Sequence, residues 1–311
     1  MGNFEMKSRP GKILVLRGGA IGDFILTLPA IDALRRHFPD AHLEVVGYPH
    51  IVELAMLGGV VDRVQPIEAR GLAGFFARNG TLDAVLSDYF SGFEIIVSYL
   101  FDPDGVFQAN VARCSGAQFI LGPHRPDEAG LIHAAQAFLK PLERLAIYQA
   151  DPLPRLRLAP RAPRPNRRLA LHPGSGSEKK NWPEKQWTGL LQGLTETTAL
   201  DLLLAGGEAE GEKMRRLACG LPSERVVLAR SLPLSELAVE LQGCCAFAGH
   251  DSGISHLAAA IGLPCLLLWG ESNEGVWRPP QPGVRILKPV GGLQQLGIEQ
   301  VAGALVGLLT E

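Results

Sequence analysis

Neither sign of charge dominates this chain. Its 311 residues carry 30 Lys and Arg against 32 Asp and Glu, a formal net charge of −2. A general nucleic-acid binder normally shows a strongly basic face, so the balance argues against that class. No run of roughly 18 uncharged apolar residues occurs, so no membrane span is expected. The start, MGNFEMKSRPGK, lacks the apolar core of a signal peptide. Cysteine is sparse, at five residues, with no CxxC and no His/Cys cluster at zinc spacing. Cys244 and Cys245 are adjacent, which does not suit an ordinary structural disulfide. The thiols read as free and buried in a reducing cytoplasm. No repeat of about 20 to 50 residues is present. What is plentiful is apolar: 46% of the residues are hydrophobic, enough for the cores of two domains of ordinary size.

Strand-like and helix-like segments alternate. KILVLR, HLEVVG, EIIVSYL, QFILG, RLALH, LDLLLAG, RVVLA, CAFAGH, PCLLLWG and VRILK are short and rich in Val, Ile and Leu. Near-continuous apolar runs predict strands buried on both faces, as in parallel sheets. Between them lie helical patterns such as Ile25, Leu28, Ile31, Leu34 and Phe38, with Pro29 expected to bend that helix. The fold class is α/β, with doubly wound domains. Residues 151–168, DPLPRLRLAPRAPRPNRR, hold five prolines and six arginines. That density stops helices, and the segment reads as a solvated linker. Its arginines leave an anionic partner as the alternative. The closing apolar stretch IEQVAGALVGLLT reads as a helix packed back onto a domain, with a membrane-lying helix as the alternative.

Three glycine-bearing turns follow strand ends. The first, Gly18 to Gly22, lacks G-x-G-x-x-G, and the second strand ends without a carboxylate, which disfavours a nicotinamide enzyme. No G-x-x-x-x-G-K-[ST] occurs either. Asp23 stands at the start of the next helix, as a cap or as a group that acts on substrate. The second turn, in LALHPGSGSEKKNWPEKQW, offers Gly174, Ser175, Gly176, Ser177 and Lys179 or Lys180, which suit a diphosphate, with a plain turn before a capped helix as the alternative. Helix 184–195 follows, with Pro183 expected at its first position. The third, GHDSGISHLAAAIGLPCLLLWG, puts Asp251, Ser252 and Gly253 before a helix. Ser252 can cap that helix or hold a phosphate oxygen. A Ser252–His256 nucleophile pair is possible, but no G-x-S-x-G elbow supports it. Open α/β sheets bind ligands at such carboxyl ends of strands.

These three motifs, in this order along LVLRGGAIGDFILTLPAIDALRRHFP, LHPGSGSEKKNWPEKQW and GHDSGISHLAAAIGLPCLLLWG, make the chain resemble glycosyltransferase family 9, the ADP-heptose:lipopolysaccharide heptosyltransferases. The resemblance implies a GT-B fold, two Rossmann-like domains facing a central cleft. It implies residues 1–155 as the acceptor domain and 156–311 as the donor domain, with the last helix packing back on the first. It implies inverting transfer from a nucleotide sugar, ADP-heptose by default, with no metal and no other cofactor. The acceptor would be a lipopolysaccharide core or related, lipid-linked glycan, met by a cytoplasmic protein at the inner membrane surface.

By position, Asp23 matches the catalytic base and Lys180 the lysine on the donor diphosphate. Gly174 and Ser175 match the phosphate loop, and Asp251, Ser252, Gly253 and His256 the D-[ST]-G-x-x-H donor motif. Glu210 matches an acidic residue near the donor ribose, with Glu208 and Glu212 close by. Asp251 is expected to accept from a sugar hydroxyl or neighbouring backbone. WGESNEGVWRPP departs from the G-P-T-D-P that the family often has beside the donor. Acceptor-binding basic residues do not align; Arg17, His124 and Arg125 are the nearest strand-end candidates, with ordinary surface positions as the alternative. Another nucleotide-sugar enzyme of this fold, such as an epimerase, and a non-catalytic nucleotide-sugar module are the rival readings.

Overall fold

The computed structural model describes residues 10–161 and 167–310. The N-terminal residues 1–9, and 162–166 of the proline-rich segment, lie outside them. Among the described residues, eleven strands form two sheets in which every pairing is parallel. The first sheet holds β1 (Lys12–Arg17), β2 (His42–Gly47), β3 (Arg63–Pro66), β4 (Ile95–Ser98) and β5 (Gln118–Leu121), in the order β3-β2-β1-β4-β5. The second holds β6 (Arg168–His172), β7 (Asp201–Gly206), β8 (Val226–Arg230), β9 (Ala246–His250), β10 (Cys265–Leu268) and β11 (Val284–Leu287). Its order is β11-β10-β9-β6-β7-β8, the doubly wound Rossmann pattern.

Ten strands fall on the apolar runs. β3, of sequence RVQP, does not: it is a short edge strand with half-exposed residues and a terminal proline, so nothing apolar marks it. Five helices bear on the site: α1 (Ile21–His37), α2 (Glu184–Thr197), α3 (Gly211–Ala218), α4 (Gly253–Ala260) and α5 (Ile298–Thr310). α1 runs unbroken through Pro29. The proline removes one i→i−4 bond without ending the helix, because the buried face of α1 holds it in place. Pro183 precedes α2 as its N-cap, one residue earlier than expected, with extended ψ.

The chain packs as two units, and the division is not a single cut. Described residues 10–19, Pro29–Arg125 and Gln136–Pro152 form the first. Ala20–Leu28, Pro126–Ala135 and the described residues from Leu153 onward form the second. The first turn of α1, with Asp23, therefore belongs to the second unit. Pro126–Ala135 is tied there by His133, whose Nε2 donates to the Arg278 carbonyl at 2.7 Å, and by Asn273 to the Glu128 carbonyl at 2.8 Å. The proline-rich segment is not wholly solvated: Leu156 is buried and its N–H reaches the Ala260 carbonyl at 2.8 Å.

Each unit has its own core. Leu14, Leu16, Phe75, Phe90 and Phe107 cluster over the first sheet. Trp182, Trp187, Leu202 and Leu204 cluster over the second. α5 adds Val301, Leu305 and Leu308 to that second core, which its apolar stripe completes, and not to the first. Burying one such aliphatic side chain contributes about 1.5–3 kcal/mol. All five cysteines are free, but Cys219 is exposed where a buried thiol is expected, because it follows the end of α3. Among the described residues no helix is long and apolar enough to cross a membrane.

Candidate active site

In the second sheet the strand order reverses between β6 and β9, and ligands bind doubly wound sheets outside the carboxyl ends at that point. Both strands end in histidine. His172 pairs in register with Gly249, and His250 follows. The loop after β6 is 173–183, and the loop after β9 is 251–252.

His250 binds the first loop from below. Its Nε2 accepts from the Trp182 N–H at 2.8 Å, and its Nδ1 donates to the Gly174 carbonyl at 3.1 Å. One ring nitrogen must accept and the other donate, so the imidazole is neutral and its tautomer is set. Burial pushes its pKa down to about 3, with His172 and Lys213 adding to the effect. The ring packs edge-on to Trp187 at 5.5 Å. Within the loop the Ser175 hydroxyl donates to the Ser177 carbonyl at 2.7 Å, so Ser175 shapes the turn. Gly174 allows Glu210 to come close: a β-carbon there would stand 2.5 Å from its Cγ. Glu210 Oε2 accepts from the Gly207 N–H at 2.8 Å.

Asp251 is the hub of the second loop. Its Oδ2 accepts from Lys180 Nζ at 2.6 Å and from the Ser272 hydroxyl at 2.5 Å. Side-chain partners, not neighbouring backbone, thus hold this carboxylate. Ser272 belongs to the WGESNEGVWRPP segment and brings that departure from the family pattern onto the donor motif. Ser252 caps α4, its Oγ accepting from the Ser255 N–H, and lies 3.2 Å from His172 Nδ1. The serine's imidazole partner is therefore His172, not His256. Burial, with Lys213 nearby, depresses His172 to about 4, which makes it a poor base.

The first turn of α1 completes the arrangement. Gly19 has φ 95°, a conformation that favours glycine, and turns the chain into the helix. Asp23 Oδ2 accepts from the Ala20 N–H at 3.0 Å, the reach-back of a capping box. One residue before it, Gly22 packs on the His256 ring: a β-carbon would stand 3.1 Å from Cδ2. Gly253 packs as tightly in return, since a β-carbon there would stand 2.6 Å from Ile21 Cβ. Two helix N-termini, α1 and α4, therefore abut through glycines, with Asp23 on one and the Asp251–Gly253 turn on the other. His256 is buried, and its Nδ1 meets no hydrogen-bond partner among the described residues. Burial lowers its pKa.

Residues 131–289 match glycosyltransferase family 9 (heptosyltransferase). The chain belongs to that family. Lipopolysaccharide heptosyltransferase 1 of Pseudomonas aeruginosa is 28% identical over 294 residues, 85% of this chain and 80% of that protein. Among solved structures, a family 9 glycosyltransferase from Veillonella parvula superimposes with TM-score 0.80 at 17% identity, covering 98% of this chain and 99% of that one. The Escherichia coli heptosyltransferase WaaC with ADP gives 0.74 at 18%, covering 96% and 99%. The protein is a glycosyltransferase with the GT-B fold.

In this glycosyltransferase the residues singled out from the motifs gather at the second unit. Gly174, Ser175 and Glu210 meet at one loop; Lys180, Asp251 and Ser252 meet at the next; Asp23, Gly253 and His256 meet where α1 and α4 abut. Arg17, His124 and Arg125 lie in the first unit. Arg17 is buried, not a surface residue: its Nη1 donates to the His124 carbonyl at 2.9 Å, and its guanidinium lies 4.5 Å from the Phe138 ring centroid. That gives Arg17 a hold on the backbone that presents His124 and Arg125, both exposed. Sequence reasoning missed His172, His250 and Ser272. The two histidines carried a signal, since both end apolar strands that run into motif loops.

The glycine contact is testable. Gly253→Ala should force Ile21 away, because neither backbone atom nor Cβ can rotate aside. Overpacking of this kind costs about 1–3 kcal/mol. Thermal unfolding should show that loss, and turnover should fall with it. A variant with unchanged stability and unchanged turnover would mean that the two helices need not touch.

Proposed function

We propose that this glycosyltransferase inverts the anomeric carbon of ADP-heptose while transferring the heptose to a lipopolysaccharide core or related glycan. The observation that carries the reading is the placement of Asp23 against the Asp251–His256 motif through Gly22 and Gly253. It sets a carboxylate beside the helix N-terminus assigned to the donor. The names of the relatives support the sugar and the acceptor, lipopolysaccharide heptosyltransferases among them.

The donor diphosphate is assigned to the amides of residues 174–177, to Lys180 and to the N-terminus of α4. Helix N-termini offer orphan N–H groups and positive potential to anions. As the acceptor hydroxyl attacks the anomeric carbon opposite the diphosphate, Asp23 takes the hydroxyl proton. The sugar–phosphate bond breaks and its electron pair leaves with the diphosphate. Developing negative charge then falls on groups already oriented for it. These groups of the chain carry the leaving-group charge in this reading, with no metal or other cofactor assigned. Glu210, beside Gly174, is assigned to the donor ribose. The acceptor is assigned to the first unit, where His124 and Arg125 are exposed. A lipid-linked acceptor implies work at the cytoplasmic face of the inner membrane by transient contact.

The test is thermal unfolding with ADP, UDP, GDP or CDP. A ligand at about 100 times its Kd adds about 2.7 kcal/mol of stability. Selective stabilisation by ADP, lost in Lys180→Ala, is the expected result. Preference for another nucleotide would remove ADP-heptose as the donor. No response to any of the four would remove the donor site.

A further inference from the structure

A cavity of about 500 Å³ opens beside the phosphate loop, lined by Ser175, Ser177, Trp182, Glu210, Lys213 and Arg216 among others. Most of its charged groups are engaged. Arg216 grips Glu184 through two hydrogen bonds, at 2.7 and 2.9 Å. Glu212 is paired with Arg215. Glu210 accepts a backbone N–H. Lys213, in the first turn of α3, is different. Among the described residues it makes no hydrogen bond and no ion pair. Its charge is nevertheless felt by His172 and His250, which lie at the ends of β6 and β9 under the loop, and by Glu184, which Arg216 already grips. On the other side of that loop Lys180 is held by Asp251 at 2.6 Å.

We propose that Lys213 is a second cationic contact for the donor's diphosphate and sets the preference for a nucleoside diphosphate over the corresponding nucleoside. The inference rests on the donor site proposed above. An ammonium is a compact point charge with three donors, suited to phosphate oxygens. Bare anions would meet the carboxylates of Glu178 and Glu210 in the same cavity. A nucleotide offers those carboxylates hydroxyl donors and offers Lys213 its phosphates, so the ligand class is a nucleoside diphosphate and not a free anion. Lys213 thus supplies a cation that no hydrogen bond or ion pair holds, whereas Lys180 is held by Asp251.

The experiment is calorimetric titration of the full chain, using whichever of ADP, UDP, GDP and CDP binds tightest, its monophosphate and its nucleoside. Wild type, Lys213→Met and Lys213→Arg are compared. A charge-assisted hydrogen bond corresponds to roughly 10- to 100-fold in affinity. Lys213→Met should lose that much for the diphosphate and less than about 3-fold for the nucleoside, with Lys213→Arg recovering most of it. Equal losses for both ligands would reduce Lys213 to a structural residue and overturn the inference. So would unchanged diphosphate binding by Lys213→Met, which leaves the donor reading intact. Failure of the wild type to bind any of the four overturns both.

Discussion

Asp23→Asn should lower turnover by about 10²- to 10⁴-fold while leaving the fold nearly untouched. The substitution separates the two roles open to this residue. An asparagine keeps an oxygen that can accept from the Ala20 N–H, so the capping bond at 3.0 Å survives. The charge is lost, and a negative charge in a first helical turn contributes about 0.3–1 kcal/mol. If Asp23 were no more than a cap, Asp23→Asn would turn over almost as fast as wild type. If it is the base, no group in the variant takes the acceptor proton and the rate collapses. Donor affinity should stay within a few-fold, because the loop at 174–177, Lys180 and α4 are unchanged. Asp23→Ala, which loses the cap as well, should show the same rate loss and a further stability loss of about 1 kcal/mol. Single-turnover kinetics and thermal unfolding on the three proteins decide the matter. Wild-type rates in Asp23→Asn would end the base assignment.

Mild acid should destabilise the protein steeply, and the cause lies in histidines behind the donor loops. His172 and His250 are depressed to about 4 and about 3 by burial, and His256 is lowered as well. An unfolded histidine titrates near 6.5. Between those values the unfolded chain binds protons that the folded chain refuses. Stability therefore rises with pH through this window. The contribution is complete above about 6.5 and is lost progressively as pH falls toward about 4 and about 3. Each such histidine adds about 1.4 kcal/mol per pH unit to the slope. Urea denaturation at pH 7.5, 6.5, 5.5 and 5 should show midpoints falling with acid. His250→Leu should have a slope shallower by one proton. It should also be less stable at pH 7.5, since the Gly174 carbonyl and Trp182 N–H lose their partner, at about 1–3 kcal/mol each. An unchanged slope in His250→Leu would mean that this ring does not titrate as its burial requires.

Much of the architecture is legible along the chain because the physical rule behind it is local. A strand covered on both faces must be apolar at successive positions, so ten strands can be read directly. β3 cannot, since an edge strand with solvent on it has no such requirement. Glycine and small residues after strand ends announce close backbone approach, so the phosphate loop, the Asp251–Gly253 turn and the Asp23 turn can each be placed. Their order along the chain carries the family as well.

What those residues do to one another depends on distances that no local rule contains. Lys180 and Asp251 are 71 positions apart, yet bonded at 2.6 Å. A lysine and an aspartate in separate motifs look like two independent ligands until folding pairs them. Arg17 reads as a strand-end acceptor candidate or an ordinary surface residue; folding buries it against Phe138 and the His124 carbonyl. His172 and His250 look like ordinary polar residues closing two strands. Adjacent placement of β6 and β9 turns them into neutral brackets under the loops, because parallel pairing brings both carboxyl ends to the same edge. α1 reads as a helix of the first half alone, whereas its first turn packs with α4 through Gly22 and Gly253, where neither site has room for a β-carbon. The parallel sheets, the three loops and the family follow from the order of residues alone, since apolar patterning and glycine act over a few residues. Which charges are neutralised, which histidines stay uncharged and where Asp23 sits follow only from packing, since charge and proton affinity depend on neighbours in space.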